Sequence, residues 1–291
     1  AHKRSDSEAE VKIKERFVYD HQNRLLQHYH QVDNQAEESL AENTYNDIGQ
    51  LTNKKVGNHL QSIDYTYNIR GWLTKINDPA NLGKSQLFGY SINYNNPITG
   101  SSRPDVAYQN LEIKPKFNGN IAEVTWKSVS PTNTNTDTKR YGYVYDSLNR
   151  LLGAFYHKNN LYNAENRETL NYDANGNITH LKRTAYLQNT AAVVIDDLSY
   201  QYQGNKMSSV QDNSHNIAGY EGGGNPISYD ANGNMTHMFD KHISNITYNF
   251  LNLPSLMELG LENDVSYTYR ADGVKVGKVS SKYIPSLYIY T

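Results

Sequence analysis

One nine-residue motif, repeated almost unchanged, constrains the fold of this chain more than any other feature. It reads YDANGNITH at Tyr172–His180 and YDANGNMTH at Tyr229–His237. A unit of this size cannot bury an apolar face alone, so the chain must be built by stacking one repeat on the next. Looser copies occupy most of the remaining sequence, and they begin at Tyr19, Tyr45, Tyr67, Tyr145, Tyr248 and Tyr269.

The motif has the composition of a tight turn. The fourth residue after the tyrosine is Gly or Asn in all eight copies, and these two residues adopt left-handed backbone angles most readily. The residue directly after the tyrosine is Asp or Asn in every copy except the last, which has Arg270. An Asx side chain there accepts hydrogen bonds from the backbone ahead of it, so we predict a type I turn closed by a left-handed residue. The assigned turn residues include Asp20, Asn23, Gly49, Gly71, Asp146, Asn149, Asp173, Gly176, Asp230, Gly233 and Gly273.

The residues that flank the turns alternate between apolar and polar types. Phe17, Tyr65 and Leu170, for example, each stand two residues before a motif tyrosine, and a period of two is typical of strands with one solvated face. Stacked hairpins of this kind form one long antiparallel sheet, which twists and curls. The predicted fold class is therefore all-β, an open spiral or a hollow shell. The stretch Gln35–Glu42 (QAEESLAE) is the one segment that resembles a helix.

The composition agrees with a large, thin sheet. Mean hydropathy is −0.77 and 37% of residues are hydrophobic, yet the chain contains 25 Tyr and is too aromatic to be disordered. A net charge of −2 predicts no affinity for nucleic acid. The absence of cysteine excludes disulfides and thiolate metal sites. We found no apolar run long enough for a transmembrane helix and no signal-peptide core, and we expect the export signal to lie elsewhere.

The organisation predicted from these patterns has two parts. Residues 1–16 form a charged lead-in, and residues 17–291 form the repeat-built sheet, incomplete at its C-terminal end. Three polar stretches interrupt the repeats, and we interpret them as loops or long hairpin tips without a domain boundary. They are Asn77–Asn110, Ser128–Arg140 and Gln211–Pro226.

The Y-D-x-x-G-N pattern at Tyr172 and Tyr229 resembles the YD repeat of RHS (rearrangement hot spot) proteins. Other stretches resemble bacterial members of that family: IDYTYNIRGWLTKIND, FNGNIAEVTWKS, RYGYVYDSLNRL and ITYNFLNLPS. The resemblance implies a sheet that spirals into a hollow cocoon. Cocoons of this family enclose a C-terminal toxin, as in the C component of ABC toxin complexes, and related YD shells in teneurins serve cell adhesion.

The resemblance therefore implies a non-catalytic segment of a bacterial shell protein, secreted or at the cell surface. Its partners would be the rest of its own chain, meaning the RHS-associated core and the C-terminal cargo, together with secretion machinery. The chain ends at Thr291 before any such core. Its lone Asp78-Pro79 pair lacks the Gly that the family places after it, since Asn81 stands there. No residue is therefore assigned to self-cleavage.

The alternative hypothesis is a surface adhesin or scaffold that binds glycans or proteins. Aromatic rings pack well on pyranose rings, and Trp72 and Trp126 are the best candidates for stacking on a glycan. A toxin domain downstream would favour the container, whereas a cell-anchoring C-terminus would favour the adhesin. Most of the tyrosines are expected to form cross-strand ladders inside the sheet.

Motifs that suggest metal binding or catalysis fail on inspection. Asp173, Asn175 and Asn177 have the spacing that opens an EF-hand loop, but Ile178 and Thr184 stand where Gly and Glu are required. The copy at Asp230 fails in the same way. The histidines form no zinc pattern, and neither a G-x-S-x-G motif nor a phosphate-binding P-loop is present. We expect no cofactor, no metal and no independent enzyme activity.

Overall fold

The computed structural model describes residues 10–98, 108, 110–130, 137–159, 161–162, 164–187, 191–260 and 264–281. Within these ranges the chain is a succession of β-strands, with one short 3-10 turn at Phe239–Lys241. The first eleven strands are β1 (Ile13–Tyr19), β2 (Leu25–Val32), β3 (Glu38–Tyr45), β4 (Leu51–Val56), β5 (Gln61–Tyr67), β6 (Leu73–Ile76), β7 (Phe88–Asn93), β8 (Glu123–Ser128), β9 (Lys139–Tyr145), β10 (Leu151–Lys158) and β11 (Leu161–Tyr162). The others are β12 (Glu168–Tyr172), β13 (Ile178–Ala185), β14 (Val193–Gln203), β15 (Lys206–Asp212), β16 (Ile227–Tyr229), β17 (Met235–Met238), β18 (Ile243–Tyr248), β19 (Pro254–Leu259), β20 (Val265–Tyr269) and β21 (Lys275–Ser280).

The chain divides into two compact units, Ala1–Asn163 and Ala164–Thr291, which we call unit 1 and unit 2. In unit 1 the order of β1 to β10 in the sheet is the order in the chain, and β11 pairs with β10. In unit 2, β12 to β15 pair in chain order, and β16 to β21 form a six-stranded sheet, again in chain order. Neighbouring strands are antiparallel, as a series of hairpins requires.

The eight motif hairpins share one register. Each tyrosine pairs with the residue six positions later, as Tyr172 does with Ile178. The residue before the tyrosine pairs with the residue eight positions after the tyrosine, as Asn171 does with His180. The returning strand therefore contains one extra residue. The same β-bulge occurs in all eight hairpins. A bulge increases the local right-handed twist, so each repeat adds its own bend to the sheet.

Two predictions from the sequence are wrong. The helix-like stretch Gln35–Glu42 runs into strand β3, where Glu42 pairs with both Gln27 and Lys55. Eight residues are too few to stabilise a helix in isolation, and partner strands on both sides decide the outcome. The polar stretch Asn77–Asn110, interpreted from the sequence as a loop or a long hairpin tip, contains strand β7, which pairs with β6 and β8.

The apolar core is small and lies where the long connection between β7 and β8 folds back over unit 1. Ile113 from this connection packs with Ala122, Val144 and Phe155. A Cβ added to Gly142 would lie 1.9 Å from Ile113 Cδ1, so only glycine leaves room for the connection on the sheet. Elsewhere the strands are mostly half-buried, as a thin sheet predicts.

Candidate functional site

The turns have the same backbone hydrogen bonds in all eight motif copies. In the first, Asp20 N donates to Arg24 O at 3.0 Å and Asn23 N donates to Asp20 O at 3.1 Å. Equivalent pairs close every later turn, including the one opened by Arg270. The residue at the fourth position has a positive φ in each copy, and these residues are Asn23, Gly49, Gly71, Asn149, Gly176, Gly233, Asn252 and Gly273. Each of these turns is therefore closed by a residue with left-handed backbone angles just before the chain enters the returning strand.

The carboxylates of the aspartates that open the turns accept hydrogen bonds from residues of the same turns. Asp173 Oδ1 accepts from Asn177 N at 2.9 Å, and Asp173 Oδ2 accepts from Asn177 Nδ2 at 2.8 Å. The side-chain bond from Asn177 is the largest cause that lowers the pKa of Asp173. In Asp146, partial burial opposes ionisation, but hydrogen bonds from Arg150 outweigh it and the pKa is lowered. These carboxylates are ionised acceptors of hydrogen bonds within their own turns.

A second kind of contact, which the sequence did not reveal, joins each hairpin after the first of its unit to the hairpin before it. A tyrosine hydroxyl donates to a backbone carbonyl at the start of the preceding returning strand, over 2.7–3.1 Å. In unit 1 the pairs are Tyr45 to Leu25, Tyr67 to Leu51, Tyr94 to Leu73 and Tyr145 to Ile121. In unit 2 they are Tyr202 to Ile178, Tyr229 to Met207, Tyr248 to Met235 and Tyr269 to Pro254.

We call these eight side chains the tyrosine anchors. Two of them, Tyr94 and Tyr202, lie outside the motif copies. Tyr94 directly follows β7, and Tyr202 is the penultimate residue of β14. Burial raises the pKa of six anchors above its ordinary value, namely Tyr94, Tyr145, Tyr202, Tyr229, Tyr248 and Tyr269. The hydroxyl therefore stays protonated and able to donate well into the alkaline range.

Neighbouring turns also touch along one edge of each unit, which we call the turn rim. In most pairs, the residue that directly follows the left-handed residue of one turn rests on the left-handed residue of the next turn. At the turn of Gly204, the contacts are made instead by Asn205 and Lys206. In unit 1 the pairs are Arg24 with Gly49, Gln50 with Gly71, Trp72 with Gly119 and Asn120 with Asn149. In unit 2 they are Asn177 with Asn205, Lys206 with Gly233, Asn234 with Asn252 and Leu253 with Gly273. A Cβ on any of the glycines would lie 3.3–3.5 Å from its partner side chain.

Trp72, a candidate for glycan stacking, lies on the turn rim of unit 1. The ring centroid of Tyr94 is 5.0 Å from that of Trp72 at an angle of 47°, and the guanidinium of Arg70 lies 5.1 Å from the centroid of Trp72. Gly119 approaches the ring edge. The ring is thus held by its neighbours, and a glycan would compete with the cation–π contact.

Trp126, the second candidate, lies among tyrosines in the middle of the unit 1 sheet. Its ring stacks on Tyr141 with centroids 5.7 Å apart and an interplanar angle of 14°, and Tyr156 lies 6.2 Å away. Tyr143 continues this aromatic cluster beside Tyr141, and burial, followed by the nearby tyrosines, raises its pKa to about 12. Trp126 therefore belongs to a cross-strand ladder, and its glycan role stays a prediction.

The opposite face of the same strands holds a buried ion pair. Glu123 and Arg140 are both 0% exposed, and Arg140 Nη1 donates to Glu123 Oε2 at 2.5 Å. Asn93 Nδ2 donates to Glu123 Oε1 at 3.0 Å. A polar cleft of about 460 Å³, lined in part by Asn93 and Thr125, opens beside this pair. Since the carboxylate is already bonded on both oxygens, the pair is a structural element of unit 1.

Unit 2 has a matching buried carboxylate that fastens a loop. Asp196 is 0% exposed, and it accepts from Arg183 Nη2 at 2.6 Å and from Tyr220 N at 2.7 Å. Asp240 accepts from Asn225 Nδ2 at 2.5 Å. Burial, followed by the nearby Asp240, raises the pKa of Tyr220 to about 12. These bonds hold the glycine-rich segment between β15 and β16 on the strands.

Among the residues that the structure describes, no group of three or more His, Asp or Glu side chains is arranged to hold a metal ion. The same part of the chain contains no helix with the length and apolar character needed to cross a bilayer. The feature that recurs in both units is the joining of neighbouring hairpins, by the tyrosine anchors and by the contacts of the turn rim.

The similarity of this chain to known proteins lies in its β-sheet fold. No protein-family model matches the sequence, and no curated protein sequence matches it. Among solved structures, the chain is similar to a pore form of the Photorhabdus luminescens Tc holotoxin, with 17% identity and a TM-score of 0.59, over 92% of this chain and 12% of that one. It is also similar to the crystal structure of TcdB2–TccC3, with 17% identity and a TM-score of 0.60, over 92% of this chain and 13% of that one.

The chain thus spans about an eighth of the chains that it matches, and at this identity the likeness concerns the fold alone. It confirms the predicted fold class, which is all-β with repeated hairpins in long antiparallel sheets.

Proposed function

We propose that this chain is a wall segment of a bacterial RHS-repeat shell protein, secreted or displayed at the cell surface, which encloses a C-terminal toxin or effector cargo. The role of the wall is steric. A sheet without gaps separates the cargo from host molecules and from proteases until the shell opens. The segment itself carries out no reaction.

The observation that carries this proposal is the double fastening of successive hairpins within each unit. The tyrosine anchors join a returning strand to the next hairpin of the same unit, and the turn rim joins the turns. A sheet of half-buried strands exposes much surface for its size, and it stays closed only if each strand is held on both sides. Repeated contacts between neighbouring hairpins are typical of a continuous wall, and they are more numerous than a single binding surface requires.

The carboxylates that could otherwise take part in catalysis are bonded to other groups of the fold. The turn aspartates bond to turn amides, and the buried Glu123 and Asp196 are each bonded to an arginine. This supports a non-catalytic role. The expected partners are the remainder of the same chain, namely its core and cargo, and the machinery that exports it.

The test is made on the full-length native product. Its mass is measured with and without mild denaturation, and the fragments are identified by peptide mapping. We expect a large shell fragment and a small C-terminal fragment that co-purify until the denaturant releases them, with the small fragment resistant to protease beforehand.

A single uncleaved chain whose C-terminal part is digested as fast as an unfolded peptide would contradict the proposal. It would favour the adhesin or scaffold hypothesis, in which the sheet offers an outer surface to glycans or proteins.

A further inference from the structure

Two neighbouring turns on the rim of unit 1 each expose a large apolar side chain next to a basic residue. The turn at residues 68–72 presents Ile69, which is 103% exposed, and the turn at residues 116–120 presents Phe117, which is 64% exposed. Ile48 and Leu148, on the flanking turns, are 78% and 68% exposed. Four large apolar side chains thus project in succession from one rim, and contiguous exposure of this kind marks an interaction surface.

The same two turns carry cations that have no acidic partner within the described residues. Arg70 Nη1 donates to the carbonyl of Phe117 at 2.8 Å, and Lys116 Nζ lies 4.9 Å from the ring centroid of Tyr145. The other arginines of this rim are neutralised, since Arg24 and Arg150 pair with the aspartates of their own turns at 2.6 Å. The excess positive charge therefore sits beside Ile69 and Phe117.

A notch of about 200 Å³ separates the two turns, and both cations line it. The amide side chains of Asn68 and Asn95 and the ring of Trp72 complete its wall. Guanidinium, ammonium and amide donors around a small opening match the oxygens of a phosphate group. Apolar tips on either side of such a notch match the acyl region just beneath a lipid headgroup.

We propose that this notch binds the phosphate headgroup of an anionic phospholipid while Ile69 and Phe117 enter the interfacial region of the bilayer. The shape of the rim selects a lipid surface over a protein. The apolar side chains stand on convex tips, so a protein partner would need a matching pocket for each of them, whereas a fluid headgroup layer closes around any projecting side chain. Anionic lipid attracts the two cations, and the apolar tips add burial, which is the combination used by peripheral membrane proteins.

This site lies outside the enclosing role proposed above and does not depend on it. A wall segment and an adhesin would both have this rim.

The test uses the full 291-residue chain in flotation with vesicles of phosphatidylcholine alone or with three parts in ten of phosphatidylglycerol. We expect binding to the anionic vesicles only, with weaker binding at high salt. The double variant Arg70→Gln/Lys116→Gln should lower the apparent affinity about thirtyfold, since each basic side chain near an anionic surface is worth about 1 kcal/mol. The variant Ile69→Ser/Phe117→Ser should abolish flotation while the chain remains folded by circular dichroism.

Unit 2 supplies the matched control. Phe250 is 87% exposed on a turn tip, and Lys206 lies over the ring of Tyr229 on another turn. Phe250→Ser/Lys206→Gln removes the same kinds of groups without touching the notch, and it should bind as the unaltered chain does.

Three outcomes would overturn the proposal. They are no flotation with anionic vesicles, equal loss in the unit 2 control, and concentration-dependent self-association that disappears in Ile69→Ser/Phe117→Ser. Direct binding of glycerol phosphate or inorganic phosphate at millimolar concentration, together with no binding to vesicles, would indicate a soluble phosphate ligand and would also exclude the lipid surface.

Discussion

The rims of the two units use one turn framework to present different surfaces. In unit 1 four tips in succession carry Ile48, Ile69, Phe117 and Leu148. The first three turns of unit 2 expose Asn175, Asn205 and Asn232, and only the last two turns of its rim expose the apolar Phe250 and Val274. The anchoring positions, in contrast, are occupied alike in both units. The tyrosine, the Asx residue and the left-handed residue determine the turn. The second and third turn positions face solvent, and they are free to vary without cost to the fold.

The largest effect is expected where each unit hides a carboxylate. Glu123→Ala removes a fully buried carboxylate that accepts hydrogen bonds from Arg140 and Asn93, and it should cost about 3–5 kcal/mol of unfolding free energy. We expect hydrogen exchange to show lost protection in unit 1 while β16 to β21 stay protected. The surface pair of Lys55 and Glu42 is the control, and Glu42→Gln should cost less than about 1 kcal/mol. Uniform loss of protection across both units would show that they unfold together.

A pH titration probes a buried tyrosine in each unit. The pKa of Tyr143 and that of Tyr220 are about 12 in the folded chain, against an ordinary value of 10.0. Because the folded pKa is raised, the stabilising contribution is complete below pH 10 and is lost as the pH rises towards 12. Urea unfolding between pH 9 and 12 should show this decline. Tyr143→Phe should flatten it in unit 1, and an unchanged slope in that variant would contradict the assignment.

Substitutions of the left-handed residue should cost less and should separate backbone strain from crowding. Gly176→Ala has nothing within 4 Å of the new Cβ, so its cost of about 1 kcal/mol comes from the positive φ alone. Gly49→Ala should cost more, because Arg24 Nη1 lies 3.3 Å from that Cβ. Gly176→Asn should be nearly neutral, since Asn149 occupies the same position in another copy with φ of 62°. Thermal unfolding of the three variants tests this order.

The smallest effect is expected at the turn tips themselves. Ile48→Ser and Leu148→Ser should change the unfolding free energy by less than about 0.5 kcal/mol, because these side chains touch little of the fold. Denaturant unfolding measures this directly, with Tyr67→Phe as the contrasting variant. Loss of the hydroxyl that Tyr67 donates to Leu51 O should cost about 1 kcal/mol. If a tip substitution lowered the unfolding free energy as much as Tyr67→Phe does, the distinction between framework and surface positions would be contradicted.

The sequence predicted the local part of this architecture well, because the local part depends on backbone preference. Gly or Asn at the fourth position is sufficient to locate a left-handed residue such as Gly71 or Asn252. The tyrosine anchors were beyond reach, since the acceptor carbonyl lies in another repeat and carries no sequence signature. Strand β7 was missed because Phe88, Tyr90 and Ile92 lie inside a long stretch rich in Asn, Pro, Gly and Ser. Its pairing partners β6 and β8 lie at distant positions in the sequence.

The tyrosine anchors also give the sheet a direction of growth. Each hydroxyl reaches back to a carbonyl that lies earlier in the chain, as Tyr269 does to Pro254 and Tyr248 to Met235. A chain that emerges from a ribosome or an export channel with its N-terminal end first has the acceptor folded before the donor arrives. Every new hairpin therefore docks on a finished template, and the unpaired strand edge is never longer than the repeat being made.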